Sequence, residues 1–470
     1  MVEEKGKKEN KKLRRELGLV SVVFFLFGYI VGAGILIQTG SAAAETGPAL
    51  WLAFIIAGIP NVINAIIIYY IVSAFPVSGG TWVYSSRLLN SFIGFIVLFS
   101  IIIHIIGSIA FLSLGFGQYF NELIPGTLNI SAILILVIFY VINIFNVKFA
   151  GWVQILLAIL GDFLILILFI IFGLPNIEIN KLTGVGTGGL FPTGIMGIFL
   201  GAVLLSFSFA GFNAIVEIGG EIKNPKRNVP LGLFVSLIMI LILYVLVSII
   251  MTGVLDFTVF QEATLKNENI TIIDVFTQIG IGGAFLLFLN ILILIAIAST
   301  IHAIILAYSR DLFSAARDRM LPYILSKVNK RYGTPHWAVT FFCISSIILL
   351  LFQPNFEDLQ YYNSLTIAIP SIILAFIPYL LRKKYPDLLE KSRFKIKKKY
   401  LLALIAFNVI YSSLSIFAIM LAELYIILIV MALYIVAVVY YFIRKKWLKN
   451  RGIDLEKICS EIPEETLEVV

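Results

Sequence analysis

Long uncharged apolar runs follow one another along almost the whole chain, and they restrict its fold more than any other feature. A helix of about 20 apolar residues spans the ~30 Å hydrocarbon core of a bilayer. With 60% hydrophobic and only 13% charged residues, the chain has too little polar surface for a soluble domain of this size. The pattern therefore predicts a multi-pass, all-α integral membrane protein.

The apolar runs predict twelve transmembrane helices. Their expected bounds are near 17–43, 49–74, 91–119, 130–147, 150–173, 192–221, 231–254, 281–309, 335–352, 359–381, 400–419 and 422–443. The first run continues past the length of a signal-peptide core, so we expect this helix to be retained. The two cysteines, Cys343 and Cys459, are too few for a disulfide framework or a metal site.

The distribution of positive charge predicts the orientation of these helices. With a cytoplasmic N-terminus, all of the 35 lysines and arginines except Lys181 and Lys266 fall on the cytoplasmic side. Short cytoplasmic loops of membrane proteins collect positive charge. We therefore expect a cell-membrane protein with both termini in the cytoplasm. The net charge of +8 then reflects topology and attraction to anionic lipid, and it does not indicate a nucleic-acid partner.

Two of the predicted helices carry small and polar residues at mid-span. The first contains Gly28, Gly32 and Gly34, and each glycine costs roughly 1 kcal/mol of helix propensity against alanine. The sixth contains the stretch 206–213, SFSFAGFN. Close helix packing would explain one such segment, whereas a pair at corresponding positions is typical of transporters with discontinuous helices.

Four segments, in this order, resemble signatures of the amino acid–polyamine–organocation (APC) transporters. They are GYIVGAGIL at 28–36, FPVSGGTWVY at 75–84, FSFAGFNAIVEIGGEIKNPKRNVP at 207–230 and SRDLFSAARDRMLP at 309–322. The resemblance implies a five-plus-five inverted-repeat core with discontinuous helices 1 and 6, two accessory helices and alternating access. The implied organisation is a basic N-tail at 1–16, the ten-helix core at 17–381, a basic loop at 382–399, the accessory helices at 400–443 and a C-tail at 444–470.

The resemblance also implies a substrate site. The α-carboxylate would bind the N–H groups of Gly32, Ala33 and Gly34, and the α-amino group would bind carbonyls around Ile30 and in 207–210. An unwound helix supplies both kinds of group without charged side chains. Selectivity would come from the side chains of Phe207, Ser208, Ala210 and Asn213, with Tyr29 as a further candidate.

No acidic residue is evident in this set, and a cationic side chain would therefore be buried without a counter-charge. We expect neutral amino acids as substrates. Polyamines or cationic amino acids are the alternative, and exchange is the alternative to ion-coupled transport.

The resemblance and one buried carboxylate together predict a coupling-ion site. Asp162 lies centrally in the fifth span, where a carboxylate costs a few kcal/mol or more and is usually functional. The stretch Ala296 to Thr300 resembles the segment that donates a carbonyl and two hydroxyls, here those of Ser299 and Thr300, to sodium in related folds. The matching carbonyls in the first span belong to Gly28 and Val31. We expect Na⁺ or H⁺ as the coupling ion and no other metal or cofactor, although such hydroxyls can also simply bond the preceding turn.

The chain departs from its relatives at two of these positions. Some proton-coupled members carry a lysine at what looks like the position of Asp162, and many members carry a glutamate where this chain has Asn213. Glu217, one turn further on, is either a substitute or a solvated residue. His104 and His302 could titrate near neutral pH or serve only in packing.

Two cytoplasmic segments and one outer segment complete the expectations. The loop 219–228 and the segment 310–319 are expected either to anchor the topology or to form an inner gate, the latter with Arg310, Asp311, Arg317 and Asp318 available for pairing. The stretch 271–279 is expected to form a short lid helix.

A membrane enzyme is disfavoured because the sequence has no HExxH motif and no Cys or His cluster. A channel or substrate sensor on the same scaffold is the rival to a carrier.

Overall fold

The structure is a computed structural model that describes residues 18–74, 80–145, 153–209, 211–212, 215, 222–266, 270–329, 332–390, 392 and 394–461. The side chains of residues 33, 80, 225 and 226 lie outside this description. Helix dominates the described residues, as the apolar runs predict.

The helices of the first half are α1 (Leu19–Ile30), α2 (Gly32–Thr46), α3 (Leu50–Ala74), α4 (Gly80–Leu88), α5 (Ser91–Leu123), α6 (Leu128–Ile144), α7 (Val153–Asn176), α8 (Ile179–Thr183) and α9 (Gly194–Leu205). The second half contains α10 (Pro225–Val254), α11 (Phe257–Leu265), α12 (Ile272–Gln278), α13 (Gly283–Arg317), α14 (His336–Leu351), α15 (Phe356–Leu374), α16 (Ile377–Lys384), α17 (Pro386–Glu390), α18 (Lys398–Ala422), α19 (Leu424–Lys449) and α20 (Leu455–Ser460).

Each of the twelve predicted spans has a helical counterpart. Eight helical segments of the described chain are long and apolar enough to cross a membrane, and four shorter apolar helices occur at 19–30, 128–144, 194–209 and 336–351. Large apolar side chains on α18 and α19 are exposed, among them Leu414, Ile435 and Phe442. On a soluble protein such a surface would promote aggregation, but on a membrane helix it contacts lipid. The predicted fold class is therefore confirmed.

Several short helices connect or cover the long ones. The short helix predicted at 271–279 is present as α12, at whose start the Thr271 N–H donates to Asp274 Oδ2 at 2.7 Å. The sequence did not predict α4, which lies between the second and third spans, or α20 in the C-terminal tail. In α20, Leu455 and Cys459 are buried, and Glu456 Oε1 accepts hydrogen bonds from Ser91 Oγ at 2.7 Å and Lys445 Nζ at 2.6 Å.

The fifth span is not a regular α-helix. Within α7, residues Ala158–Phe163 form a π-helical segment, a local widening of the helix that often marks functional sites. The segment packs closely on α13, because a Cβ built on Gly161 would lie 2.5 Å from the Ala296 nitrogen. The widening also leaves Asp162 fully buried on the side of α1 and α13.

Candidate substrate and ion site

The first span is interrupted at Val31, between α1 and α2. A helix start leaves its first N–H groups without intrahelical acceptors, and a helix end leaves its last carbonyls without donors. Two carbonyls beside this break lie within hydrogen-bond distance of hydroxyl groups on other helices. Ser299 Oγ lies 3.4 Å from Gly28 O, and Tyr244 Oη lies 3.0 Å from Ile30 O. The break therefore presents backbone groups to side chains, as the glycine-rich segment predicts.

The sixth span is interrupted after α9. A short 3₁₀ turn, Ser206–Phe209, follows the α-helix. Gly211 has a φ of 124°, a backbone conformation that would be strained in a residue with a side chain. Ser208 O lies 2.9 Å from Tyr244 Oη, which thus shares its one hydrogen between this carbonyl and Ile30 O, and Ser208 Oγ donates to Gln38 Oε1 at 2.8 Å. The predicted site residues Ala210 and Asn213, as well as Glu217, lie outside the described residues.

The two breaks touch each other through glycines. A Cβ on Gly34 would lie 2.5 Å from the Cα of Ser208, and a Cβ on Gly32 would lie 1.7 Å from Thr300 Oγ1. Neither distance is compatible with a side chain, so these two positions require glycine in this packing. Gly32 therefore faces α13 and Gly34 faces the sixth span.

A cavity lies beside the breaks. Of the residues predicted to bind substrate, Ile30, Gly34 and Phe207 line it, and the further candidate Tyr29 lines it as well. Thr300, predicted for the ion site, lines it as well. The described residues that line the cavity include no Asp, Glu, Lys or Arg. Ser208 and Gly32 do not line the cavity. Ser208 is fully buried, and Gly32 packs against Thr300, which does line it.

The predicted ion-site residues are partly brought together. Ser299 Oγ lies 3.1 Å from Asp162 Oδ2, and a Cβ on Gly28 would lie 3.3 Å from the same oxygen. Asp162 Oδ1 has no hydrogen-bond partner among the described residues. Gln154, which the sequence analysis missed, donates through Nε2 to Ser299 Oγ at 3.0 Å, and its own Oε1 is buried without a partner.

The remaining ion-site residues lie nearby but contribute differently. Thr300 Oγ1 lies 3.5 Å from Ala296 O of its own helix, the bond that hydroxyls in membrane helices commonly make. Val31 is buried, and its N–H donates to Phe27 O at 2.8 Å. The described residues contain no group of three His, Cys, Asp or Glu side chains that could hold a metal ion.

Two site residues were missed for different reasons. Gln154 is an amide inside an apolar span, and the rule that polar residues in membrane helices are functional could have identified it. Tyr244 gave no such signal, because tyrosine is common in membrane helices and only the fold brings its hydroxyl to both breaks.

At one end of the bundle, α4 is held to the end of α13 by a buried ion pair. Arg87 Nη1 lies 2.7 Å from Asp318 Oδ2, and Trp82 Nε1 donates to the same oxygen at 2.8 Å. Asp318 was among the residues predicted for an inner gate, but its partner Arg87 was not.

The apolar helices of the described chain, two of them broken beside a shared cavity, define a membrane carrier of the discontinuous-helix class. A family profile described as amino acid permease matches residues 17–451. The chain therefore belongs to the amino acid permease family and is a transporter of amino acids.

Individual relatives differ in the substrates that their names give. The branched-chain amino acid permease BcaP of Bacillus subtilis (strain 168) is 27% identical over 399 residues, which are 80% of this chain and 83% of that protein. The serine/threonine exchanger SteT of the same organism is 26% identical, over 80% of this chain and 85% of that protein. The cationic amino acid transporter 4, vacuolar, of Arabidopsis thaliana is 26% identical, over 69% of this chain and 56% of that protein.

Proposed function

We propose that this permease carries neutral amino acids by alternating access, with both termini in the cytoplasm and with transport coupled to a Na⁺ or H⁺ gradient. The observation that carries the proposal is the cavity beside the two breaks, whose described lining is uncharged. Helix breaks supply donors for a carboxylate and acceptors for an ammonium group. A second positive charge on the substrate side chain would find no counter-charge there.

The arrangement around the cavity supports alternating access. The cavity extends from Ile30 and Phe207 to Thr81 and Leu374, near the start of α4 and the end of α15. Toward the other end of the bundle, the Tyr119 hydroxyl donates to Leu36 O at 2.7 Å. The distribution of lysines and arginines assigns the α4 end to the cytoplasm. The described conformation then corresponds to access from the cytoplasmic side.

The surroundings of Asp162 support cation coupling. This carboxylate is fully buried, its Oδ1 has no partner in the described structure, and no basic side chain pairs with it there. A buried carboxylate without a positive partner is costly unless it binds a cation or a proton. The oxygens of Asp162, Ser299 and Gly28 suit a hard monovalent cation, and the same carboxylate could carry a proton instead.

The substrate is tested with purified protein in liposomes and a panel of amino acids. Neutral amino acids should compete for uptake better than arginine, lysine or putrescine. Arginine or putrescine outcompeting every neutral amino acid would show that a carboxylate outside the described residues faces the cavity. Accumulation against a gradient distinguishes a carrier from a channel.

The coupling ion is tested in the same liposomes, first without sodium on either side. Uptake driven by an inward proton gradient and lost in Asp162→Asn would establish proton coupling, whereas uptake that requires added sodium would establish sodium coupling. Ser299→Ala should weaken either dependence less than Asp162→Asn does. Asp256→Asn, at an exposed carboxylate beside α11, is the matched control. Unchanged sodium and pH dependence in Asp162→Asn would remove this residue from coupling.

A further inference from the structure

His104 lies on α5 beside the part of the cavity that faces Phe207. Its ring is edge-to-face with Phe207, with 6.0 Å between ring centroids, and it lines the cavity although only 7% of the residue is exposed. Ile105 and Ile304 line the same cavity. The imidazole ring thus adds a nitrogen acceptor or donor to a cavity whose other polar side chains, such as Ser108, Thr300 and Thr366, carry hydroxyl groups.

The hydrogen atoms of the neighbouring hydroxyls determine which ring nitrogen of His104 carries the proton. Thr366 Oγ1 donates to Tyr362 O at 2.8 Å, so toward His104 Nδ1, at 3.2 Å, it can only accept. We therefore assign the ring hydrogen to Nδ1.

The other nitrogen of His104, Nε2, has only one long contact with a hydroxyl group, that of Ser108. Ser108 Oγ donates to His104 O at 2.7 Å, and its distance of 3.5 Å from Nε2 is long for a hydrogen bond. In the neutral imidazole, Nε2 therefore keeps an unshared lone pair.

We propose that His104 is a specificity-determining residue whose Nε2 accepts a hydrogen bond from the substrate side chain. The inference rests on the proposed neutral amino acid transport and narrows its substrate class to amino acids with a short side chain that carries a hydrogen-bond donor, such as a hydroxyl. An aliphatic side chain of the same shape leaves the Nε2 acceptor unpaired when it displaces water from the cavity.

Threonine and valine provide the test because they are nearly isosteric and differ in a hydroxyl group. In liposomes containing the full-length protein, uptake of threonine should exceed that of valine by roughly 10-fold in kcat/KM, the range of one neutral hydrogen bond. His104→Phe keeps the size of the ring and removes the acceptor. It should lower the ratio of threonine to valine uptake by about the same factor and leave valine uptake in place.

His302→Phe is the control variant. His302 is fully buried on α13, its ring is stacked on Phe139 with 5.3 Å between centroids, and Nδ1 lies 2.9 Å from Asn143 Nδ2. This variant should leave the ratio of threonine to valine uptake unchanged. A purely structural role of His104 would lower both rates together and also leave the ratio unchanged.

The outcomes separate this inference from the function on which it rests. Transport of neutral amino acids with an unchanged ratio in His104→Phe overturns the role of His104 alone. Failure to transport any neutral amino acid overturns the proposed function. If His104→Phe does not insert, competition experiments on the wild-type protein decide the question. The inference is contradicted if alanine competes for uptake as well as serine does and valine competes as well as threonine does.

Discussion

The hydroxyl group of Tyr244 lies 3.0 Å from the carbonyl oxygen of Ile30, and the same hydroxyl is 2.9 Å from Ser208 O. One side chain on α10 thus links the backbones of both broken helices. Tyr244 is fully buried, so its hydroxyl donates at a place where water does not compete. These two carbonyls belong to the segments predicted to accept the substrate's α-amino group. Tyr244 therefore couples the geometry of the two breaks to each other.

Replacing Tyr244 with phenylalanine should impair transport. The substitution removes the single hydroxyl hydrogen that these two buried carbonyls share, at a cost of about 1–3 kcal/mol. We expect a fall of about 10-fold or more in initial uptake, with insertion preserved. Tyr440→Phe is the control, because Tyr440 Oη also donates to a carbonyl, that of Met320 at 3.2 Å, but on an accessory helix. Equal uptake by the two variants would argue against the coupling role.

The glycines of the first break should not tolerate even alanine. In Gly32→Ala and Gly34→Ala, the added methyl group would collide with Thr300 and with the backbone of Ser208, respectively. Uptake should fall below detection in both, and Gly32→Leu or Gly34→Leu should behave in the same way. Gly282→Ala, where a Cβ meets no atom within 4 Å, should retain uptake. Transport at the wild-type rate in either alanine variant would show that the substrate site is wrongly assigned.

The Arg87–Asp318 pair should contribute more to stability than an exposed ion pair does. Replacing Asp318 with leucine leaves the Arg87 guanidinium buried without its anion, which typically costs about 3–5 kcal/mol. The thermal unfolding midpoint in detergent should drop by several degrees. The double variant Arg87→Met/Asp318→Leu should recover most of the loss.

The pair of Lys181 and Glu178, at 2.8 Å, provides the comparison, because its carboxylate is exposed to solvent. Glu178→Gln should change stability by less than about 1 kcal/mol. A drop in Asp318→Leu no larger than that in Glu178→Gln would contradict the importance of the buried pair.

The docking of α20 should protect Cys459 from alkylation. Burial raises the pKa of this thiol to about 12, so little thiolate is present near neutral pH. In a Cys343→Ala background, maleimide should label Cys459 slowly. Glu456→Ala removes the acceptor for Ser91 and Lys445 and should speed labelling by at least about 10-fold, whereas Asp387→Ala, at an exposed site, should not. Rapid labelling of the unmodified tail would show that α20 is not docked.

The sequence by itself determined the membrane class, the twelve spans and the positions of the two breaks. These features follow from the local pattern, because a run of apolar residues must become a helix in lipid and a cluster of glycines weakens that helix at a defined place. The sequence also predicted a functional role for Asp162, because a carboxylate within an apolar span is costly wherever that span packs. The family followed from four ordered segments, and the comparison with amino acid permeases confirmed it.

Only the tertiary structure decided which groups meet. Gln154 and Ser299 are 145 residues apart, and Tyr244 and Ile30 are 214 residues apart, so no local pattern links them. The π-helical segment in α7 changes which residues face α13, and a helical periodicity of 3.6 does not predict such a change. The proton position on His104 likewise depends on hydroxyl bonds made across α5 and α15. The sequence thus identified the helices and their breaks, and packing selected the side chains that satisfy the freed backbone groups, because a buried polar group must find a partner in the folded molecule.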